Sequence, residues 1–251
     1  KQSPDSYNPL AGYRYNIDPF IEYFKPNGDR HSIKTRLFSV GNENMDIDKQ
    51  GYSKLHYAEY RYLNKIKERT NWTSGISYLD NTVWGNMFLE HKGINASIYS
   101  QMDAHVSERL KLSAGVRWEV NKLNDDLDYS EPVFRAGLNY QATQSTFLRA
   151  SFGQGYRYPS VAEKFASAEV GALKIFKNPE LEPERGWNAE AGIKQAFNFG
   201  RWIGFVDLAA FRTEYKNMIE YTFGAYPKDS SAVPTIDDIG FKALNIGTAR
   251  I

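Results

Sequence analysis

The segment Leu110-Lys111-Leu112-Ser113-Ala114-Gly115-Val116-Arg117-Trp118-Glu119-Val120-Asn121 alternates strictly between two kinds of side chain. One set is apolar throughout, and the other is polar, charged or glycine. A strict period of two predicts a β-strand with different chemistry on its two faces. Twelve residues exceed the usual strand length of about 5–6 residues. They match the roughly 9–11 residues with which a tilted strand crosses a bilayer.

The same alternation recurs along the whole chain and predicts about eleven strands. It is clear in 94–103, 134–140, 146–152 and 187–194, and weaker in 15–24, 32–40, 55–65, 72–78, 204–215 and 241–251. Helical spacing is rare, so the sequence predicts an all-β protein.

The connections between these segments alternate in length. The short ones are 26–29, 66–70, 105–109, 142–145 and 198–201, and the long ones are 41–51, 80–93, 122–132, 157–185 and 224–240. In an antiparallel meander, this alternation places all short turns at one end and all long loops at the other. Membrane β-barrels have this arrangement, whereas the connections of a Greek-key sandwich vary more freely in length.

Composition excludes several classes of protein. The chain has 31 Lys and Arg against 30 Asp and Glu, a balance that argues against a nucleic-acid partner. It has no Cys, which excludes disulfides and thiol catalysis. No apolar run is long enough for a membrane helix. Two alternatives stay open at this point, a lipid-embedded barrel and a soluble β-sandwich. The sandwich would bury Leu112 and Trp118, whereas the barrel would turn them outward into lipid.

Two stretches that flank the longest loop resemble the barrel of TonB-dependent outer-membrane receptors. The first runs from Phe147 to Ser160, and the second from Asn178 to Gly192. The motif residues are Gly153, Gly155, Pro159, Asn178, Pro179, Leu181, Pro183, Glu184, Glu190 and Gly192. Segments 96–117 and 245–251 are similar to further strands of this family. We interpret Gly153 and Gly155 as positions where a strand bends into a loop. Pro159 is interpreted as a strand-ending residue, and Pro179 and Pro183 as residues that guide the chain back into the sheet. Glu184 and Arg185 are interpreted as polar groups of the rim or lumen that pair with neighbours.

The resemblance implies an antiparallel up-and-down transmembrane β-barrel of 22 strands around a plug domain. Such a receptor sits in the outer membrane of a Gram-negative bacterium and takes up a scarce nutrient with energy from the TonB complex. Residues 1–251 would then be one part of the barrel domain, about 11 of the 22 strands, without the plug and the final strands. The expected partners are outer-membrane lipid, a small-molecule nutrient and, through the plug, the TonB complex. Neither a cofactor nor an enzymatic activity is expected.

The longest predicted loop, 157–185, is the candidate region for ligand binding. It brings cationic and aromatic residues together, namely Tyr156, Arg157, Tyr158, Lys164, Phe176 and Lys177. This combination suits an anionic iron–siderophore, because cations offset its charge and aromatic rings pack on catechols. The alternative is a loop that folds on its own apolar residues, among them Val161 and Phe165.

No metal site is predicted. The four histidines, His31, His56, His91 and His105, lack the close spacing of metal ligands, and the acidic run 124–128 lacks the full spacing of a calcium loop. Two other functions remain as alternatives to active uptake: a passive porin or structural barrel, and a soluble β-sandwich binding domain.

Overall fold

The computed structural model describes residues 10–44, 50–124, 126–170, 173–227 and 233–251. The strands within these ranges are β1 (Leu10–Ile17), β2 (Phe20–Phe24), β3 (Arg30–Asn44), β4 (Gly51–Ile66), β5 (Thr70–Gly85), β6 (Leu89–Ser107), β7 (Leu110–Leu123), β8 (Asp126–Gln141), β9 (Thr146–Arg157), β10 (Ala168–Val170), β11 (Leu173–Phe176), β12 (Glu184–Phe199), β13 (Trp202–Lys216), β14 (Ile219–Ala225), β15 (Ile239–Asn245) and β16 (Thr248–Arg250). A short helix, α1, spans Val161–Phe165. In the described ranges, no helix is long and apolar enough to cross a membrane.

One large antiparallel sheet dominates the structure. Its strands follow the order β1-β3-β4-β5-β6-β7-β8-β9-β12-β13-β16. Strand β2 pairs with β3 beyond the end of β1, so β1 and β2 form one strand interrupted at Asp18 and Pro19. A smaller sheet, β10-β11-β15-β14, lies beside it. The main path contains eleven strands, which confirms the predicted all-β meander. In the described residues β1 does not pair with β16, so the sheet is not closed into a barrel.

Two of the predicted long loops are wrong. Strand β5 continues to Gly85 and β6 begins at Leu89, so most of 80–93 is strand. Strand β7 likewise reaches Leu123 and β8 begins at Asp126. Beyond the part of the sheet that is apolar on its outer face, both faces of a hairpin contact water. The alternation of apolar and polar residues is therefore lost there, although the strands continue to pair through backbone hydrogen bonds. The predicted loops 41–51 and 224–240 are also shortened, and each lies partly outside the described residues.

The two faces of the large sheet have opposite chemistry. Leu112, Val116 and Trp118 are exposed on one face, whereas Arg117 and Glu119 are half-buried on the other. The indole Nε1 of Trp118, on the apolar face, donates to Ser130 Oγ at 2.7 Å. Such a bond suits lipid, where an N–H group without a partner is costly. Leu112 and Trp118 are 39% and 51% exposed, so the described structure does not bury them as the soluble sandwich requires.

The opposite face is a polar wall whose side chains bond across neighbouring strands. The Ser77 and Ser97 hydroxyls lie 2.7 Å apart, and Arg117 donates to Ser77 at 3.3 Å while pairing with Glu119. On β6, Asn95 donates to Asn121 of β7 at 2.8 Å. A polar inner wall behind an apolar outer face is the arrangement of a barrel in lipid.

Candidate ligand-binding site at the loop end of the sheet

The β9–β12 loop, residues 158–183, connects two neighbouring strands of the large sheet and carries α1, β10 and β11. Its first turn is fixed by a capping box. Ser160 Oγ accepts from the Glu163 N–H at 3.2 Å, and the Glu163 carboxylate accepts from the Ser160 N–H at 2.7 Å. Two backbone donors that the short helix leaves unpaired are thereby satisfied. The loop therefore starts from a defined geometry.

Arg157, a predicted ligand-binding residue, ties the two ends of this loop together. Its Nε donates to Glu184 Oε2 at 2.6 Å, and its Nη1 and Nη2 donate to the Glu163 carboxylate at 2.9 and 3.0 Å. Glu184 also accepts from the Ile219 N–H at 2.7 Å, which connects the cluster to β14. First Glu184 and then Glu163 raise the pKa of Arg157 above its ordinary value. The guanidinium therefore stays charged and bound, and the pairing predicted for Glu184 is confirmed.

The carboxylates of this cluster make the loop sensitive to acid. Burial alone would raise the pKa of Glu163, but hydrogen bonds from Arg157 and Ser160 outweigh it and hold the pKa below its usual value. The hydrogen bond from Arg157 also lowers the pKa of Glu184, against the effect of burial.

A lowered folded-state pKa adds stability above the unfolded-state pKa of about 4.3, and this stability is lost as the pH falls through the folded-state pKa. We therefore expect α1 to stay protected between pH 7 and about pH 5 and to lose protection below about pH 4. Hydrogen exchange across the pH series, corrected for the intrinsic rate, measures this. Protection unchanged at about pH 3 would contradict it.

Tyr158 and Lys164, two predicted ligand-binding residues, lie close together and contact each other. The Lys164 Nζ donates to the Tyr158 hydroxyl at 3.2 Å and lies 5.2 Å from the centre of the ring. Lys164 is buried, and its carbonyl accepts from the Asn178 N–H at 2.8 Å. Asn178 in turn donates from its side chain to the Ala243 carbonyl at 2.9 Å. Together these contacts fix the two motif stretches to each other and to β15.

The far side of the loop is held by Asn245, a residue that sequence reasoning did not single out for this role. Asn245 Oδ1 accepts from the Glu182 N–H at 3.0 Å, and its Nδ2 donates to the carbonyls of Glu182 and Asn217 at 3.0 and 2.9 Å. Leu181 is buried at 3% exposure beside these bonds. The stretch from Asn178 to Glu184 is therefore an anchor that joins the loop to the small sheet.

The other predicted ligand residues lie apart from one another. Tyr156 donates to Glu119 at 2.8 Å and accepts from Asn121 at 3.0 Å, so it belongs to the inner polar wall. Phe176 of β11 packs against Tyr226, the residue after β14, with ring centres 5.6 Å apart. Lys177 is exposed. The predicted set therefore spreads along the loop rather than forming one compact cluster.

A cavity lies where the loop meets the ends of β5 to β7. It encloses about 350 Å³, within the range of small-molecule pockets. Its lining includes Leu79, Val83, Leu123, Tyr158, Val161 and Ala162. Beside it, the His91 ring stacks on Phe165 at 3.9 Å, and the Ser167 N–H donates to the Met87 carbonyl at 2.8 Å. The loop thus folds onto the sheet, and not only on its own apolar residues.

The motif glycines serve different purposes. Gly153 and Gly155 were interpreted as the positions where the strand bends into the loop, but β9 continues through both to Arg157. Neither glycine has a positive φ, and neither has an atom within 4 Å of an added Cβ. Pairing between β8 and β9 does end at Gly153. At Gly192, by contrast, a Cβ would lie 2.9 Å from the Arg149 Cζ. The absence of a side chain lets Arg149 reach Glu190 at 3.2 Å.

Among the described residues, no group of three or more His, Cys, Asp or Glu side chains could hold a metal ion. His31 and His56 instead bond to Tyr60 at 2.8 Å and Asp80 at 3.0 Å. Most side chains of the acidic run 124–128 lie outside the described part of the structure.

The outward apolar face and the polar inner wall define the chain as part of a membrane β-barrel. The family model for the β-barrel of TonB dependent receptor-like proteins matches residues 3–251, and the chain belongs to this family. Members of the family are Gram-negative outer-membrane transport receptors rather than enzymes.

Individual relatives are distant. The chain is 24% identical over 175 residues to the hemoglobin-haptoglobin utilization protein B of Neisseria meningitidis serogroup C, covering 67% of this chain and 20% of that protein. It is 27% identical over 138 residues to the vitamin B12 transporter BtuB of Vibrio vulnificus, covering 54% and 20% respectively. Among solved structures, the siderophore receptor PirA of Pseudomonas aeruginosa shares the fold at a TM-score of 0.79 and 13% identity, covering 96% of this chain and 45% of that one. The chain therefore spans a fifth of these curated relatives and less than half of PirA.

Proposed function

We propose that the chain is part of the barrel domain of an outer-membrane receptor that takes up an iron chelate, an iron–siderophore or a similar compound, with energy from the TonB complex. The plug and the final strands of the barrel would come from the rest of the protein. The observation that carries the proposal is the anchored β9–β12 loop, which Arg157 ties to Glu163 and Glu184 and which Asn245 joins to the small sheet. A fixed loop at the mouth of a lumen can offer a ligand a preformed surface.

The chemistry of this surface supports an aromatic chelate. Tyr158 and Phe176 lie on the loop, and Phe165 packs beside the cavity. Arg157 and Lys174 already have carboxylate partners, so ring packing contributes more to recognition than free positive charge does. The relatives described as haemoglobin-haptoglobin and siderophore receptors support an iron-bearing ligand, whereas the vitamin B12 transporter points to a related class of bulky chelate.

The orientation of the loop is tested by labelling. In the full-length protein, a cysteine introduced by Ser167→Cys should react with a membrane-impermeant thiol reagent on intact cells, because Ser167 is exposed in the β9–β12 loop. The matched variant Thr143→Cys lies in the turn between β8 and β9 and should react only after the cells are lysed. The reverse pattern would invert the proposed topology.

Uptake itself is tested in cells that lack their own iron-chelate receptors. Expression of the full-length protein should restore accumulation of radioactive iron from a catecholate chelate, and removal of TonB should abolish it. The double variant Tyr158→Ala, Phe176→Ala should reduce uptake roughly 5- to 150-fold, since each contact between an aromatic side chain and a ring of the ligand contributes about 0.5–1.5 kcal/mol. Phe199→Ala, at the opposite end of the sheet, is the matched control. TonB-independent uptake would contradict the proposal.

A passive porin remains the second candidate, and the polar inner wall favours it as well. The two functions differ in conductance. A porin would give a steady ion current when the full-length protein is placed in a planar bilayer, whereas a plugged receptor should stay closed.

A further inference from the structure

The pairing between β8 and β9 stops short of the loop end of the large sheet. Strands β7 and β8 stay paired up to the loop end, and so do β9 and β12. Strands β8 and β9, by contrast, pair only up to Arg135 and Gly153. Beyond these residues, 126–134 of β8 and 154–157 of β9 have no backbone ladder with each other. We call this unpaired part of the boundary the β8–β9 seam.

The seam is built to remain unpaired. Alternate residues of an antiparallel strand direct their N–H groups to the same neighbour. The Phe134 N–H points toward β9, where the side-chain Oε1 of Gln154 accepts it at 3.3 Å. The next position on this side is occupied by Pro132, which has no N–H to donate. N–H groups without partners are costly in lipid, so Gln154 and Pro132 remove that cost without a ladder.

Beyond the ladder, the end of β9 turns onto the inner wall. Side chains alternate along a strand, so Tyr156 lies on the same face of β9 as Phe152. Phe152 belongs to the outer face, in one row with Ala114 of β7. Tyr156 nevertheless donates to Glu119 at 2.8 Å and accepts from Asn121 at 3.0 Å, both on the inner face. Both facts hold together only if the end of β9 turns inward and crosses the inner face of β7 and β8.

The rest of the β9–β12 hairpin follows the same path. Arg185 of β12 stands opposite Tyr156 and donates to Glu131 at 3.0 Å, a residue on the inner face of β8. Past the hairpin, Val161 of α1 lines the cavity together with Val83, a residue on the inner face of β5. The loop thus lies over the inner faces of β5 to β7 and not above the ends of its own strands.

We propose that Pro132 and Gln154 are positioning residues for the candidate ligand site. By keeping the β8–β9 seam unpaired, they turn the end of the β9–β12 hairpin into the lumen and place its loop across the mouth. Continued in the same register, the ladder would put position 132 opposite Tyr156 on the outer face, and Tyr156 would lose Glu119. A surface already held in its binding position saves the cost of ordering it on binding. The ligand part of this inference rests on the proposed function.

Disulfide trapping in the full-length protein tests the seam. Residues 1–251 contain no Cys, and any Cys outside them is replaced by Ser. In an extended ladder, the pair Val133→Cys, Gly155→Cys would be directly opposite without mutual hydrogen bonds. Their Cα atoms would then be about 4.5 Å apart, close enough for a disulfide. We expect no disulfide with Pro132 present and a nearly complete one when Pro132→Val supplies the missing N–H.

Two controls accompany the trapping. The pair Gln141→Cys, Phe147→Cys lies within the existing ladder of the same two strands and should form a disulfide whether or not Pro132 is replaced. Pro26→Val changes a proline in the turn between β2 and β3, at the opposite end of the sheet, and should not produce a disulfide at the seam.

Iron uptake measures the effect on the ligand site. Pro132→Val should raise the half-saturation concentration of the catecholate chelate about tenfold and keep the maximal rate within about twofold, because lost preorganisation weakens binding. Tyr156→Phe removes the hydroxyl that bonds to Glu119 and Asn121 and leaves the seam unpaired, so it should raise the half-saturation concentration without a seam disulfide. A lower maximal rate at an unchanged half-saturation concentration would overturn the positioning role.

A seam disulfide that forms with Pro132 present would overturn the proposal, and so would its absence in a folded Pro132→Val protein. If Pro132→Val does not fold, Pro132→Ala supplies the same N–H with a smaller side chain, and the same two outcomes decide. Failure of the proposed function gives a different result. Absent or TonB-independent uptake by the original protein refutes that function, whereas the disulfide pattern still decides whether the seam turns the hairpin inward.

Discussion

Ile98→Arg should destabilise the membrane-inserted protein by about 2–4 kcal/mol, the cost of an arginine on the lipid face near the bilayer midplane. Ile98 is 62% exposed on the outer face. Its partners in the neighbouring strands are Ile76 and Trp118, so it lies near the middle of the apolar band. Equilibrium folding of the full-length protein into lipid vesicles, followed by denaturant titration, measures the change.

Gln101→Arg is the matched control on the same strand. Gln101 lies on the inner face and donates to Asp103 at 2.9 Å, so an arginine there would have water and a carboxylate within reach. We expect a change below about 1 kcal/mol. Equal costs at Ile98 and Gln101 would refute the assignment of the two faces.

Arg157→Gln should release the β9–β12 loop. The carboxylates of Glu163 and Glu184 are only 19% and 20% exposed and would lose a charged partner, whereas Arg157 itself is 48% exposed. Hydrogen bonds to charged groups contribute about 1.5–3 kcal/mol each, and partial exposure reduces that value. We expect the local stability of α1 to fall by about 2 kcal/mol, which is roughly a 30-fold increase in amide exchange.

Hydrogen exchange at the amides of Lys164 and Ala166, which donate to Ser160 and Ala162, measures this release. Arg157→Lys should restore only part of the protection, because an ammonium cannot make the two-pronged contact with Glu163. Arg69→Gln is the control, since Arg69 pairs with Glu108 where both side chains are exposed, and such pairs contribute little. Unchanged exchange in Arg157→Gln would show that Asn245 and the buried Leu181 hold the loop without the ion pairs.

The strands could be predicted because their signal is local. In Leu110–Leu123 apolar and polar side chains alternate, so each residue type indicates the face of the sheet on which it lies. A strand with lipid outside and a polar lumen inside needs this alternation along the whole length that crosses the membrane. Beyond the membrane the alternation is no longer needed, and the pattern is lost. Segments 80–93 and 122–132 extend beyond the apolar band as strands, and their polar composition led to the incorrect prediction of loops.

The candidate site was predictable only in part. Ser160 precedes α1 and Glu163 is the third residue of this helix, a capping-box spacing that the sequence does display. The contacts of Arg157 with Glu184, or of Asn178 with Ala243, join residues 27 and 65 positions apart. Such pairs depend on which strands become neighbours, and one sequence contains no signal for that choice.

The sequence by itself determined the all-β meander, the two chemical faces and the location of the loop between β9 and β12, because period and composition are properties of neighbouring residues. Only the tertiary structure decided what the loop's side chains do. It turned Arg157 and Lys164 from candidate ligand contacts into internal partners of Glu163, Glu184 and Tyr158. The reason is that strand register, and not distance along the chain, sets which side chains share a surface.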